Sequence, residues 1–331
     1  MEIIQPSPES AADQVRALGA LARAATNSTA APQMAFLAAA QTRIFRTELD
    51  LDAMDSIEAA VLADHELDSK EARQLIRFMV VMCIADGPPS AQQMQLLESY
   101  AEALGVDEPA VGVIAHLAKG RELLFKLSFA RRSHVRIYFR NTRRLLGGVL
   151  PTVKAILRFD GVLGENREMA NRFRALAALP GETLGNQFFH HCRNAKLPFS
   201  GEQGGFPPGA LYHDFTHVLA GYDTTPEGEI KASAFQAGFT QDPNDFFTAL
   251  FGLIIHTTGI NLAPFPVPVE PGRIGQGSLA SDMLHALERG AQMKVDLSSD
   301  WDFWEDLELP IDRVREKLGV VPIEASVSRR G

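Results

Sequence analysis

The chain has 331 residues, 46% of them hydrophobic and 22% charged, which suits a folded protein and argues against a disordered or low-complexity one. A formal net charge of -9 counts against a general nucleic-acid binder. The two cysteines, Cys83 and Cys192, lie far apart and form no CxxC, so they supply neither a disulfide framework nor a thiolate metal site.

Residues 1–30 read as a loose, flexible leader: Pro6 and Pro8 precede an Ala/Ser/Thr-rich stretch, and "MEIIQPSPESAADQ" lacks the pattern of a targeting peptide. From Met34 to about Gly120 the pattern is helical. "DSKEARQLIRFMVVMCIADG" places Leu75, Ile76, Met79, Val80 and Cys83 on one stripe, with Asp68 or Ser69 as N-cap. After the turn at Ala85-Asp86-Gly87, Ser90 caps a second amphipathic helix. The "ADG" turn followed by "LLESYAEALGV" resembles the TerB-like helical domain of tellurite-resistance proteins over residues 35–125. Pro88, Pro89 and Ser90 stand where members of that family carry acids. A helical interaction module over residues 31–125 is the expectation.

Residues 126–147 form a basic connecting segment. Between Lys119 and Arg158 there are eleven lysines and arginines against Glu122 alone, a surplus of ten in an acidic protein. In "FARRSHVRIYFRNTRRLLGG" aromatic residues interleave with Arg131, Arg132, Arg136 and Arg140, the composition of a surface that meets anionic lipid headgroups; a solvated helix face or an interdomain seam is the plainer alternative. From Gly148 onward helical patterns continue to the end, broken by the Pro-rich "APFPVPVEPG", and strand alternation is absent nearly everywhere. The predicted fold class is all-α, with a larger C-terminal helical domain over residues 148–331. The longest apolar run, Phe246 to Ile255, is too short to span a bilayer. The expected location is therefore cytoplasmic, with any membrane contact at the surface.

Residues 213–229 carry the chemistry. On a helix His213, Asp214 and His217 fall within an arc of about 100°. The two imidazoles sit one turn apart, the spacing that lets both reach one metal ion. Gly221, Pro226 and Gly228 would break the helix and reverse the chain, so that Glu229 opens the next helix facing the same site. Two imidazoles with one or two carboxylates suit zinc, iron(II) or manganese better than calcium. The competing reading is a salt-linked helix face. His190 and His191, beside Cys192 at a predicted helix end, read as surface or capping residues, and His256 and His285 as core histidines.

The spacing of His213, Asp214, His217 and Glu229, HDxxHx11E, resembles that of the coenzyme Q biosynthesis protein four (Coq-four) family. "LAALPGETLGNQFFHH" resembles the family's element before the motif, and "SDWDFWEDLELPIDRVREKLGVVP" its closing segment, so the likeness covers about residues 145–325. The chain differs in having "GGFPPGALY" in place of an Arg-rich run before the His-Asp pair, and Gln236 in place of a second acid.

The resemblance implies an all-helical protein peripheral to the inner face of a membrane. It would hold a divalent metal through the four motif residues: zinc first, with iron, manganese or magnesium as alternatives. It implies action on a prenylated benzoquinone precursor, the ring carboxyl being replaced by hydroxyl, alongside an organising role among biosynthetic proteins. Asp214 or Glu229, if not a ligand, would act as base or orient a histidine. An iron centre would handle oxygen directly, whereas zinc would need another oxidant. Phe246, Phe247, Leu250, Phe251 and Ile254, with Leu253 and Ile255, are the candidate groove for an isoprenoid tail; a buried core helix is the alternative. The expected partners are such a lipid, proteins bound through the N-terminal helices and an anionic membrane, with a homodimer as an option. The rival functions are a non-catalytic lipid- or quinone-binding scaffold with a structural metal, and a metallohydrolase with Asp214 in the place of an HExxH glutamate.

Overall fold

The computed structural model describes residues 1–25, 31–133, 135–260, 262 and 269–323, apart from the side chains of residues 31, 135 and 136. Among these residues the protein is all-α, with sixteen α-helices and no strand. The N-terminal half contains α1 (Pro8–Arg23), α2 (Ala31–Ala40), α3 (Ala59–Ala63), α4 (Ser69–Cys83), α5 (Ala91–Ala103) and α6 (Pro109–Ala118). The basic region forms α7 (Glu122–Ala130), α8 (Val135–Leu145) and α9 (Val149–Phe159). Then follow α10 (Arg167–Ala175), α11 (Leu184–Asn194), α12 (Tyr212–Ala220), α13 (Pro226–Phe239), α14 (Asp245–Thr257), α15 (Leu279–Ala291) and α16 (Ile311–Leu318). Of the Pro-rich loop, residues 263–268 lie outside the described residues.

The caps follow the sequence closely. Asp68 caps α4 by accepting from the Lys70 N–H, and Ser90 with Gln93 forms a reciprocal capping box at α5. Thr183 caps α11 and Thr225 caps α13, with Pro226 at the first helical position, where its missing N–H costs nothing.

The leader expected over residues 1–30 is corrected for the part described. Residues 8–23 form α1, capped by Ser7, with Ala11, Val15, Leu18, Leu21 and Ala22 buried. Alanine is the strongest helix former, and the same alanines that look low in complexity here allow close packing. Met1 is buried too, its amino group donating to the Gly238 carbonyl at 3.0 Å and pairing with Asp245 at 3.1 Å. Arg77 of α4 ties in at 3.1 Å from Asp245 and 2.8 Å from Glu108. The buried apolar residues form one cluster running from Met1 to Val320, so the core is continuous across the residue-125 region.

At the centre lies α13, which packs most heavily against α15 and α14. Backbones approach closely through small residues. A Cβ at Gly238 would lie 2.5 Å from the Leu287 carbonyl, and one at Gly290 would collide with the Phe235 carbonyl. On the other side a Cβ at Gly252 of α14 would meet the Ser233 side chain and, at 3.1 Å, the Glu229 carbonyl.

The residues proposed as an isoprenoid groove take part in this packing. Phe246, Phe247, Leu250 and Ile254 are buried core, Phe251 is partly buried, and the Phe247 ring packs edge-on against Phe129 at 5.4 Å. In place of an open groove, α14 is a core helix, and a tail lying along it would require α14 to separate from its neighbours.

Alanine in a helix interior normally adds stability over glycine by about 1 kcal/mol. At Gly238 the opposite sign is expected: Gly238→Ala should cost about 1–3 kcal/mol through overpacking, seen as a lower melting temperature. A raised melting temperature would mean that the α13–α15 approach is not tight.

Candidate metal centre

Two consecutive helices and the turn between them build the site. The helix α12 follows the short turn Pro208–Ala210, where Gly209 leaves no room for a side chain against Thr142 of α8 and donates to the Thr142 hydroxyl at 3.1 Å. It ends at Gly221, whose φ of 77° is the left-handed conformation that closes a helix at low cost for glycine. Its last carbonyls are held by two arginines. Arg315 donates to the carbonyls of Leu219 at 3.0 Å and Val218 at 3.2 Å, and the buried Arg289 donates to that of Ala220 at 3.1 Å. Gly228 does not break a helix as expected; it lies in the first turn of α13, where a Cβ would collide with the Asp223 carbonyl. That close approach brings Glu229 back over α12.

Three of the four expected ligands converge. The Nε2 atoms of His213 and His217 lie 3.4 Å apart; Glu229 Oε2 is 3.2 Å from the first and Oε1 3.4 Å from the second. One ligand atom from each residue falls within 4.8 Å of the others. Bonds of about 2.0 Å to a tetrahedral ion put neighbouring ligand atoms about 3.3 Å apart, close to the 3.4 Å between the two imidazole nitrogens, while each nitrogen meets a different oxygen of Glu229.

Outer contacts set the tautomers. His217 Nδ1 faces the Tyr222 carbonyl at 3.3 Å, which accepts from Nδ1–H and leaves the Nε2 lone pair for a ligand role. Gln236, buried on α13, places its amide 2.8 Å from His213 Nδ1.

Asp214 stands apart from this group. It is buried one residue along α12, about 100° round the helix from His213, and is not among the ligand atoms that converge. Burial pushes its carboxyl above the ordinary range, against the opposing pull of His213 and His217.

The charges of the triad are coupled. Burial disfavours a charged His213, but the hydrogen bond and charge of Glu229, with Asp214 and Gln236 adding to them, outweigh it and raise this imidazole to about 9. Burial would raise the Glu229 carboxyl, but the hydrogen bonds and charges of His213 and His217 hold it well below the usual carboxylate range. Without metal, His213 and Glu229 therefore form an ion pair at neutral pH.

Several neighbours carry little sequence signal. His191 stacks on His217 with ring centroids 5.5 Å apart and planes at 21°, and burial lowers its pKa to about 4. The expectation of a surface or capping role fits the exposed His190 and is corrected for His191. The available signal was the helical face: His191 follows Leu184 and Phe188 at seven and three residues, on the side that α11 buries. Tyr138 of α8 packs edge-on against Tyr212 at 5.5 Å. Its phenol is pushed upward by burial and then by the charges of Asp214 and Glu229.

Of the arginines expected at a lipid surface, Arg131 and Arg140 are exposed and Arg132 is partly so, while the Arg136 side chain lies outside the described residues. No described helix is long and apolar enough to cross a membrane. No family model matches the chain, and no curated protein matches it.

A metal must displace the His213 proton. Apparent zinc affinity should therefore rise about tenfold per pH unit and level off near pH 9, with proton release seen by calorimetry in buffers of different ionisation enthalpy. Because the folded pKa is raised, pairing stabilises the metal-free protein fully below about pH 6.5, and that stability is lost as pH rises through about 9. A pH-independent affinity between 7 and 9 would refute the ion-pair assignment.

Proposed function

We propose that the chain is a metal-dependent enzyme of the kind its motif resembles, acting on a prenylated benzoquinone precursor or a related aromatic acid at a membrane surface. The observation that carries this reading is the convergence of His213 Nε2, His217 Nε2 and the two oxygens of the Glu229 carboxylate at separations of 3.2–3.4 Å, on the HDxxHx11E spacing. Accessibility favours catalysis over a structural ion. The side chain of His217 is 1% exposed, but those of His213 and Glu229 are 23% and 27% exposed. Structural zinc sites are closed by four protein ligands, whereas catalytic ones keep a position open.

The bound ion would act as Lewis acid toward a substrate carboxylate or ring oxygen. His213, His217 and Glu229 hold it, with zinc the first choice for this donor set. Asp214, a buried carboxyl above its ordinary range, is suited to hold or take a proton beside the substrate. In the reaction the ring carboxyl would leave as carbon dioxide, water would supply the oxygen of the new ring hydroxyl, and dioxygen, as the separate oxidant a zinc centre requires, would take the two electrons released and leave as hydrogen peroxide.

The basic region supports attachment to an anionic membrane. Eight of the twelve exposed large apolar side chains among the described residues lie between Leu123 and Val162. Leu123, Leu124 and Leu127 on α7 and Val149, Leu150 and Val153 on α9 stand among the basic residues of this stretch, so apolar insertion and headgroup attraction would act together. The N-terminal helices, read as TerB-like, would serve as the contact for biosynthetic partners.

The purified protein is expected to carry a divalent transition metal that His213→Ala and Glu229→Ala lose, by elemental analysis. A strain lacking the protein should accumulate a carboxylated prenyl-benzoate, by mass spectrometry of lipid extracts; unchanged quinone intermediates would sink the substrate assignment. Neutralising Arg131, Arg132 and Arg140 should weaken flotation with phosphatidylserine liposomes on the order of a hundredfold, at about 1 kcal/mol per basic residue. Flotation equal to wild type would remove the membrane from the proposal.

A further inference from the structure

The third imidazole beside the centre has one nitrogen without a hydrogen-bond partner among the described residues. His191 Nε2 is shielded from solvent and makes no hydrogen bond within the described residues. A buried polar atom normally finds a partner, and an unpaired one in a folded protein calls for a ligand, a water or an ion to complete it. The ring lies parallel to His217, and His217, His213 and Glu229 are the charges that act on it. Its nitrogens lie outside the group of ligand atoms gathered within 4.8 Å. His191 is thus beside the centre but is not one of its ligands.

We propose that His191 Nε2 hydrogen-bonds the oxygen of whatever occupies the open side of the triad, and so serves as the recognition group for an oxygen-bearing ligand such as an aromatic carboxylate or phenolate. The assignment rests on the metal-centre reading of His213, His217 and Glu229. Two features suit His191 to it. It comes from a different helix, α11, which packs against α12 beside the ligand histidines. Stacking on His217 fixes the plane of its ring relative to the ligand histidines.

Packing alone would also explain a stacked ring, and substitution separates the two roles. His191→Phe keeps a flat ring against His217 and removes the nitrogen; His191→Gln keeps a hydrogen-bonding group. The measurement uses the full chain loaded with cobalt(II), whose visible spectrum reports both metal occupancy and the arrival of added benzoate. His191→Phe should bind cobalt within about twofold of wild type but benzoate about tenfold more weakly, the loss expected for one hydrogen bond. His191→Gln should recover part of that loss. Benzoate affinity unchanged in His191→Phe overturns the proposal and assigns His191 to packing. Cobalt affinity that collapses in His191→Phe as it does in Glu229→Ala also overturns it, by making His191 a ligand. A wild-type chain that takes up no cobalt fails the metal-centre reading itself, and this assignment with it.

Discussion

The geometry of the centre depends on the reversal between α12 and α13. Both histidines stand on a nine-residue helix, and the glutamate stands in the first turn of the next. The two come together because Gly221 ends α12 in a left-handed conformation and Gly228 lets the new helix pass against the Asp223 carbonyl. Any side chain at Gly228 would push Glu229 away from His213 and His217. Contacts of 3.2–3.4 Å among the three side chains leave little tolerance for such a shift.

The remaining structure holds that reversal still. Arg315 and Arg289 bind the last carbonyls of α12, which would otherwise be buried without partners. The helix α13 is clamped between α14 and α15 through Gly252, Gly238 and Gly290, so Glu229 sits on a rigid base. The buried Gln236, two turns further along α13, fixes His213 from behind. The N-terminal residues contribute at a distance: Met1 and Arg77 meet Asp245 at the start of α14, next to the end of α13.

The basic helices connect to the centre through α8. Its buried side meets the turn before α12 through Thr142 and Gly209, and Tyr138 packs on Tyr212. Its outer side exposes Phe139 and Arg140. One amphipathic helix thus separates the surface proposed to meet lipid from the side chains proposed to meet substrate.

Much of this was legible in the sequence. Apolar periodicity gave the all-α class, and cap residues placed the starts of α4 and α5, because these signals depend only on neighbours a few residues away. The spacing of His213, His217 and Glu229 marked the centre for the same reason: two helical turns and a reversal are local events. Tertiary packing decided the rest. The leader became a core helix because its alanines found a surface to pack against, and α14 became core because α13 and Phe129 cover it. Asp214 was separated from its neighbours by a rotation of one residue on a buried helix. His191, Gln236 and Tyr138 joined the site from other helices or later turns, which no local pattern reports; sequence spacing sets which residues share a helix face, and only packing sets which faces meet.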